Sequence, residues 1–490
     1  MKQLSGVDAS FLYMETNKVW GHVSGLAVFR RPDVLGWSAH EALCRQLTAI
    51  IPKVPPLSRR LVDVPLQLDH PYWVQDPDFD LEYHVRDTAV PPPGNQEQLA
   101  ALVARLIARP LDRNHPLWET YVIEGLSDDR FAILTKLHHA TIDGAAGAEL
   151  MTMMYQPEGT AALGAAEPAA LPAPEPVPGS AAMLVRSVGN IVRKPTKFAR
   201  LQVRTVAALG SMTRSKGLTG LADLMRTLPN PVATQIDRVS RLERDAASTP
   251  PSTPAPATPF NASISAHRRV ALRSVSLTSI KEFKRVAGFT VNDVVMAACA
   301  GALRCYLAEK DLLPQNPLVA MVPVSIRTGE EADPWANRVS SIFPPIPTDE
   351  PDATVRMQRV HSAMNEAKER FTLMPADLLV EYADYAPPAL AIRAASVASR
   401  LRVADRVQPP FNVVISNVPG ARRTLTLDGA TMEHYYPVST ITDGFGLNIT
   451  LQSYRDSLDI CLVGDRTLLP DLDHLADLLE HEFTGLEKLL

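Results

Sequence analysis

Short runs of β-branched and aromatic residues recur along the chain and predict strands. The stretches "SGLAVF", "FAILTKL", "VAMVPVSI", "FNVVISNV" and "LNITLQSY" have this composition, and Gly, Pro or Asn residues bound them. Two longer stretches, "VNDVVMAACAGALRCYLAEK" and "LDHLADLLEHEFTGLEKLL", instead repeat apolar residues at i, i+3, i+4 and i+7, which is typical of helices. Both kinds of run occur in both halves of the chain, so we predict two layered domains of the α/β (α+β) class.

The periodic pattern is interrupted in the middle of the chain. The stretches "PEGTAALGAAEPAALPAPEPVPGS" and "ASTPPSTPAPATPF" are rich in Ala and Pro and have no apolar face, as expected of linkers. Between them, residues 181–216 contain eight Lys or Arg residues and no acid, with apolar residues at helical spacing. We therefore predict an N-terminal domain at 1–155, a linker with a basic amphipathic helical segment at 156–260 and a C-terminal domain at 261–490.

Composition and charge narrow the class of protein. The chain of 490 residues is 46% hydrophobic and 21% charged, as globular proteins are, and its net charge of −5 disfavours bulk attraction to nucleic acid. The N-terminus has no signal-like apolar run, and no uncharged window is long enough to span a membrane. The four cysteines lack paired metal-ligand spacing, so we expect them to be reduced core residues. These features predict a cytoplasmic protein whose membrane contact is peripheral.

The stretch "LHHATIDGAAG" carries the clearest candidate chemistry. If the preceding strand continues to its end, His139 shares a face with Phe131, and His138 points to the opposite face. The following turn places Asp143 near the positive end of a helix, and Gly144 allows backbone conformations that other residues resist.

Three interpretations of this cluster are open. As metal ligands, His139 and Asp143 would lack the alignment that a helix gives them, and no third ligand is apparent. As structural residues, the two histidines would be satisfied polar groups and Asp143 a helix cap. As a catalytic group, an imidazole with a near-neutral pKa would remove a proton from a hydroxyl or thiol.

Other catalytic signatures are missing from the sequence. It contains no GxSxG elbow, no GxxxxGK[ST] loop and no GxGxxG turn. A base without a partner nucleophile indicates direct transfer to an acceptor, without a covalent intermediate on the protein.

The order His-His-x-x-x-Asp-Gly after a strand resembles the active-site motif of the coenzyme-A-dependent acyltransferase superfamily, which includes chloramphenicol acetyltransferase and peptide-synthetase condensation domains. More narrowly, the chain resembles the bacterial wax ester synthase/diacylglycerol acyltransferase family over nearly its whole length outside the linkers. The further matching blocks are "LSGVDASFLYMET", "PPLSRRLVDVP", "HPLWE", "VNDVVMAA", "VPVSIR", "NRVS" and "ISNVPG".

The resemblance implies two chloramphenicol-acetyltransferase-like domains, each a mixed sheet flanked by helices, with a tunnel between them. It places His139 at the position of the general base, while Asp143 points away from substrate and holds the loop through a charged partner. It implies acyl-CoA as co-substrate, no metal and no tightly held cofactor. Diacylglycerol is the expected acceptor, forming triacylglycerol, with side activity on long-chain alcohols at an inner-membrane or lipid-inclusion surface.

Three further residues are candidates for substrate binding. Asn292 lies in a block that the family places near the cleft, although Thr290 and Asp293 have the spacing of a capping box that only starts a helix. Ser416 and Asn417 lie in "ISNVPG", which is also consistent with a strand end and a Pro-Gly turn.

Two other functions remain possible at this point. A carrier-dependent condensation-type acyltransferase would keep the fold and change the donor, but the chain has no carrier segment. A non-catalytic lipid-binding or scaffold protein would use the same tunnel, but it would not need to keep the histidine, aspartate and glycine.

Overall fold

The computed structural model describes residues 1–142, 144–160, 177–187, 189–190, 255–325, 339–372 and 388–487. Strands β1 to β8 are Lys2–Gln3, His22–Arg30, Arg59–Val62, Tyr72–Gln75, Val85–Ala89, Trp118–Leu126, Arg130–His138 and Gln156–Pro157. Strands β9 to β17 are Arg268–Ser276, Leu318–Ser325, Val339–Ile342, Pro345–Ile346, Val413–Val418, Leu425–Leu427, Ala430–Val438, Leu447–Tyr454 and Ser457–Asp465.

The helices lie between these strands. Helices α1 to α5 are Gly6–Tyr13, Ala39–Ile50, Leu81–His84, Gln96–Ile107 and Gly144–Met154. Helices α6 to α10 are Leu277–Ala287, Val291–Ala308, Ala353–Thr372, Pro388–Arg400 and Leu472–Glu487, and a further helical stretch covers 180–187. The predicted strands and helices are therefore confirmed, with β16 and the start of α7 at the residues that the pattern indicated.

Among the described residues, two seven-stranded mixed sheets form the framework. The first has the order β5-β6-β7-β2-β15-β14-β8, with one parallel pair, β5 and β6. The second has the order β11-β10-β13-β16-β17-β9, with β12 beside β10, and its parallel pairs join β10 to β13 and β13 to β16. The mixed α/β architecture is thus confirmed, and a small third sheet holds β1, β4 and β3.

The first sheet is completed by strands from the second half of the chain. Strand β15 pairs antiparallel with β2, placing Tyr436 opposite Leu26 and Val438 opposite Ser24, and β14 pairs with both β15 and β8. The sheets therefore do not divide at the linker, because residues 425–438 cross over to the first sheet. The domain boundaries themselves stay a prediction.

Strand β7 separates two parts of the apolar core. Phe131 and Ile133 pack with residues of α2 and α5 on one face. Ala132 and Leu134 pack on the other face with α4 and with Leu272 of the second sheet. Alternate residues of one strand thus bind the helical layer and the other half of the molecule.

Helix α7 is the central helix of the second half. It is long and apolar enough to cross a bilayer, but it is mostly buried between the second sheet and helices α8 and α10. It is therefore a core helix. Of the four cysteines, all free, Cys299 and Cys461 are buried as expected, whereas Cys44 and Cys305 are only partly buried.

Candidate active site

The two histidines lie where β7 ends beside the start of β2. The last paired residues are His22 and His138, so the strand stops one residue earlier than the sequence pattern predicted. The N–H of His139 donates to the carbonyl oxygen of Gly21 (2.8 Å), and the N–H of Thr141 donates to that of His138 (2.9 Å). The direction of His139 is thus set by a turn, and the predicted sharing of a strand face with Phe131 does not apply to it.

The ring of His139 rests on an aromatic side chain. Phe11 of α1 stacks on the imidazole with ring centroids 4.1 Å apart and an angle of 12° between the planes. The imidazole is only partly buried. Stacking fixes the ring plane while leaving part of the ring surface accessible, as a proton-transferring group requires.

His138 is enclosed and has hydrogen bonds at both ring nitrogens. Its side chain is about 2% exposed, and Nδ1 accepts the N–H of Ala140 (3.0 Å). The proton therefore belongs on Nε2, which donates to Oε1 of Glu15 (3.2 Å). A Cβ at Gly21 would lie 2.5 Å from Nε2, so only glycine allows this approach.

Glu15 joins the parts of this arrangement. Its carboxylate also accepts the N–H of Gly21 (2.8 Å) and the guanidinium of Arg113 (2.6 Å). Burial opposes ionisation, but hydrogen bonds and charge from His138, Arg113 and the Gly21 N–H outweigh it and lower the pKa of Glu15 to about 2. One ionised carboxylate thus binds both His138 and the N–H of Gly21, and the carbonyl of Gly21 in turn accepts the N–H of His139. Sequence reasoning missed Phe11, Glu15 and Arg113, although the first two lie in the "LSGVDASFLYMET" block.

A second group of buried ionisable side chains lies further along the same sheet face. The ammonium of Lys136 donates to the carbonyl of Arg109 (3.0 Å) and lies 3.4 Å from Glu119. Burial lowers the pKa of Lys136, and burial together with the nearby Lys136 charge lowers the pKa of His22 to about 3. His22 is therefore neutral near pH 7 and does not compete with the two motif histidines as a charged group.

The rest of the motif is only partly described. Asp143 lies outside the described residues, so its role in holding the loop stays a prediction. Gly144 begins α5, in agreement with a helix start after the turn.

Asn292 lies at the start of α7. The predicted capping box is present, because the Thr290 side chain accepts the N–H of Asp293 and the Asp293 carboxylate accepts the N–H of Thr290. Asp293 is buried and also bonds His361 (2.9 Å). This block therefore starts the helix, and Asn292 beside it is partly exposed.

Ser416 and Asn417 lie on β13 but on opposite faces. Ser416 pairs with Thr450, and Asn417 pairs with Leu451, a core residue on the side of α7. Only Ser416 therefore shares the face of β16 that is turned towards the first sheet.

The end of that β16 face reaches the helix after the histidines. Gln452 pairs with Val418, and its amide lies 3.8 Å from Sδ of Met151 on α5. The "ISNVPG" block is thus brought towards the histidine turn through Gln452.

Trp118 of the "HPLWE" block is a core residue. Its side chain is buried, donates Nε1–H to the carbonyl of Leu57 (2.8 Å) and stacks on His84 at 4.3 Å. It supports the strand next to β7.

Two family profiles match the chain. The profile described as the wax ester synthase/diacylglycerol acyltransferase catalytic domain matches residues 4–295, and the C-terminal domain profile of the same family matches residues 335–487. Together they include the histidine turn, α1 and the "ISNVPG" strand.

Named relatives align along nearly the full length. A protein named as a probable diacylglycerol O-acyltransferase of Mycobacterium tuberculosis is 36% identical over 484 residues, covering 98% of each chain. An O-acyltransferase of Acinetobacter baylyi is 32% identical over 494 residues, covering 100% of this chain and 98% of that one.

Solved structures agree with these matches. A wax ester synthase/diacylglycerol acyltransferase from Marinobacter aquaeolei has a TM-score of 0.65 at 30% identity, covering 100% of this chain and 99% of that one. A condensation domain of the calcium-dependent antibiotic synthetase has a TM-score of 0.55 at 14% identity, which shows a shared fold alone. The chain therefore belongs to the wax ester synthase/diacylglycerol acyltransferase family.

Proposed function

We propose that this protein transfers a long-chain fatty acyl group from acyl-CoA to the hydroxyl of diacylglycerol, forming triacylglycerol, and that long-chain alcohols are a second acceptor. The observation that carries the proposal is the contrast between the two histidines. His138 is enclosed with both ring nitrogens bonded, whereas His139 is only partly buried and is held by Phe11 and Gly21. This contrast supports His139 as the general base.

The transfer needs one proton relay. His139 removes the proton from the acceptor hydroxyl as its oxygen attacks the thioester carbonyl. When the tetrahedral intermediate collapses, the carbon–sulfur bond breaks and the imidazolium returns the proton to the coenzyme A thiolate. An ester and free coenzyme A form, and no metal or tightly held cofactor takes part.

The neighbouring motif residues act through position. His138 and Glu15 hold the strand ends on either side of His139, and their bonds would be lost if either side chain were removed. Asp143 and Gly144 shape the turn between His139 and α5, as the family motif implies.

The preference for diacylglycerol over long-chain alcohols is inferred from the place where the acceptor is found. A two-chain glycerolipid is found in membranes and lipid inclusions, and a chain with a basic, apolar central segment is suited to collect it there. An apolar tunnel distinguishes chains that differ by methylenes only weakly, so wax ester synthesis accompanies the main activity.

Peripheral binding to a membrane or lipid inclusion is part of this proposal. Four apolar side chains near the end of α9 are exposed, Val397, Leu401, Val403 and Val407, and arginines lie between them. Mixed apolar and basic residues are suited to an anionic lipid interface.

The basic segment at 181–216 contributes differently along its length. In its described beginning, Met183 is buried with Val64 and Tyr72, and Arg186 lies 5.5 Å from the centre of the Tyr72 ring. This part packs on the protein, so lipid binding is proposed for the later basic residues, which lie outside the described residues. Replacing Arg193, Lys194 and Lys197 by Glu should reduce liposome co-sedimentation, and binding that stayed equal and insensitive to salt would contradict the idea.

A direct assay tests the activity. Purified protein is incubated with palmitoyl-CoA, and thiol release is measured with and without acceptor. Release that requires acceptor supports transfer, whereas release to water alone would contradict it.

The same assay then decides the acceptor. 1,2-Dipalmitoylglycerol and hexadecanol compete at equal surface concentration, and kcat/KM is compared. We expect the larger value for the glyceride, and a clear advantage for the alcohol would overturn the choice of acceptor while leaving the His139 mechanism standing.

A further inference from the structure

Two adjoining cavities lie between the two halves of the molecule. One of about 460 Å³ lies between residues 17–18, the segment 263–267 and residues 465, 467 and 468, and one of about 350 Å³ lies between residues 16–18 and the end of α9. Asn17, Lys18 and Arg402 line both cavities, so the two adjoin each other. We name the two cavities together the basic cleft, after Lys18, Arg400 and Arg402 on its walls.

The side chains of the cleft present positive charge and hydrogen-bond donors. Lys18 and Arg400 make no ion pair within the described part of the chain, and Arg402 is balanced by Asp405 at 2.7 Å. The exposed imidazole of His267 lies in the wall of the larger cavity. Two cations are therefore available to a ligand.

A buried cation lies beneath the same wall. Arg268 is 6% exposed and donates to the carbonyl oxygens of Ser265 (2.8 Å) and Lys18. Asp465, an acid that lines the larger cavity, accepts hydrogen bonds from Ser265 and from the N–H groups of Thr467 and Leu468. Because that carboxylate is already bonded, it competes weakly for the exposed cations.

The cleft is connected to the histidine turn by two short pieces of chain. Lys18 follows Glu15, which bonds His138, by three residues. On the other wall, Ile392 of α9 packs against the cluster that contains Ala140, the residue after His139. Arg400 is eight residues further along α9, which places it about 12 Å away along the helix axis.

We propose that the basic cleft binds the phosphate groups of the acyl-CoA donor, with Lys18 and Arg400 as the residues that contact them. The inference rests on the proposed function, since the acyl thioester must reach His139. An extended pantetheine arm separates the thioester from the phosphates, and that arm is long enough to run from the histidine turn along α9. Charged groups bind phosphate oxygens through strong hydrogen bonds, and the cleft hydroxyls of Ser396 and Ser399 supply neutral donors.

A comparison of two donors tests the site. Octanoyl-CoA carries the phosphates, and the octanoyl thioester of N-acetylcysteamine lacks them while keeping the reacting bond. In the double variant Lys18→Gln/Arg400→Gln, we expect KM for octanoyl-CoA to rise about tenfold with kcat unchanged, because only charged contacts are lost. KM for the truncated thioester should stay within about twofold, since that donor cannot reach the cations.

Binding of coenzyme A itself is measured by calorimetry in parallel, without turnover. The matched control is Lys281→Gln/Arg285→Gln, which removes the same charge from two exposed positions of α6 outside the cleft. The control should bind coenzyme A as the unaltered protein does.

The outcomes of these measurements separate the cleft assignment from the proposed function. Equal effects on both donors, or none on octanoyl-CoA, would overturn the cleft assignment, as would an unaltered protein that fails to bind coenzyme A. Coenzyme A binding that weakens in the cleft variant, in a protein that transfers no acyl group, would leave the cleft standing and refute the proposed function.

Discussion

The central strands of the two sheets bury different kinds of polar group on the faces turned towards each other. In the first sheet, β2 and β7 bury the titratable side chains His22, Lys136 and His138. In the second sheet, β16 buries the uncharged side chains Asn448, Thr450 and Gln452. Asp459 of β17, next to β16, is also buried on this side of the second sheet and bonds His434 of β15 (3.0 Å), so the contrast is between β2 and β7 on one side and β16 on the other.

The difference distinguishes the strands that carry titratable groups beside the histidine turn from β16, which carries none. A buried titratable group is costly unless partners satisfy it, and Glu15, between α1 and β2, and Glu119 of β6 are the partners of His138 and Lys136. The amides and hydroxyl of β16 bond uncharged partners, as in the bond from Thr450 to Asn448 (2.6 Å) and that from Gln452 to Met151 (3.8 Å). We infer that β7 leads to the reacting group and that β16 supplies neutral polar side chains on the opposite sheet.

The largest expected effect belongs to His139→Ala. Deleting the general base should lower kcat/KM about a thousandfold while the melting temperature stays nearly the same, because the ring is only partly buried. Steady-state kinetics and thermal unfolding measure the two quantities, with His474→Ala as an exposed histidine control. His138→Ala should cost less activity and more stability, and the reverse order would refute the assignment of the base.

The next effect concerns Glu15. Glu15→Ala should lower kcat ten- to a hundredfold, because the Gly21 N–H, His138 and Arg113 lose one shared acceptor. Glu15→Gln retains a carbonyl acceptor and should recover part of that loss. Nitrogen NMR of the histidine rings should show the Nε2–H tautomer of His138 becoming less populated in the alanine variant, and an unchanged spectrum with unchanged kcat would refute the positioning role.

Glu15 also gives the stability a defined pH dependence. Its pKa falls from 4.5 to about 2 in the folded chain, a difference of 4.5 − 2 = 2.5, or about 3 kcal/mol at most. A depressed carboxylate pKa adds stability above the unfolded value of 4.5, and this is lost as the pH falls through 2. We therefore compare the free energy of unfolding in urea of the unaltered protein with that of Glu15→Gln. The advantage of the unaltered protein should be about 2 kcal/mol smaller at pH 3 than at pH 5. A constant difference would contradict the depressed pKa.

The smallest expected effect compares neighbouring residues of the second sheet. Ser416→Ala should lower kcat/KM about two- to fivefold, because Ser416 lies on the polar face beside Thr450. Asn417→Ala, on the face of α7, should change the melting temperature more than the kinetics. If Asn417→Ala lowered kcat/KM more than Ser416→Ala did, the assignment of the two residues to opposite faces would be wrong.

Local sequence patterns were enough to predict many of the strands and helices of this protein. The alternation in "LNITLQSY" and the helical spacing in "VNDVVMAACAGALRCYLA" coincide with β16 and α7, because side-chain direction repeats within a single element. The capping box at Thr290 and Asp293 was readable for the same reason, since its partners are three residues apart. The order of the histidine motif and the accompanying blocks likewise identified the family from the sequence alone.

Tertiary structure alone decided which distant residues meet. Glu15 and His138 are 123 residues apart, and Phe11 and His139 come together only when α1 packs beside the end of β7. Strand β15 joins β2 although it lies in the other half of the chain. A sequence records which face of an element is apolar or polar, but the choice among compatible partners depends on how whole surfaces pack together, so these contacts had no local signal.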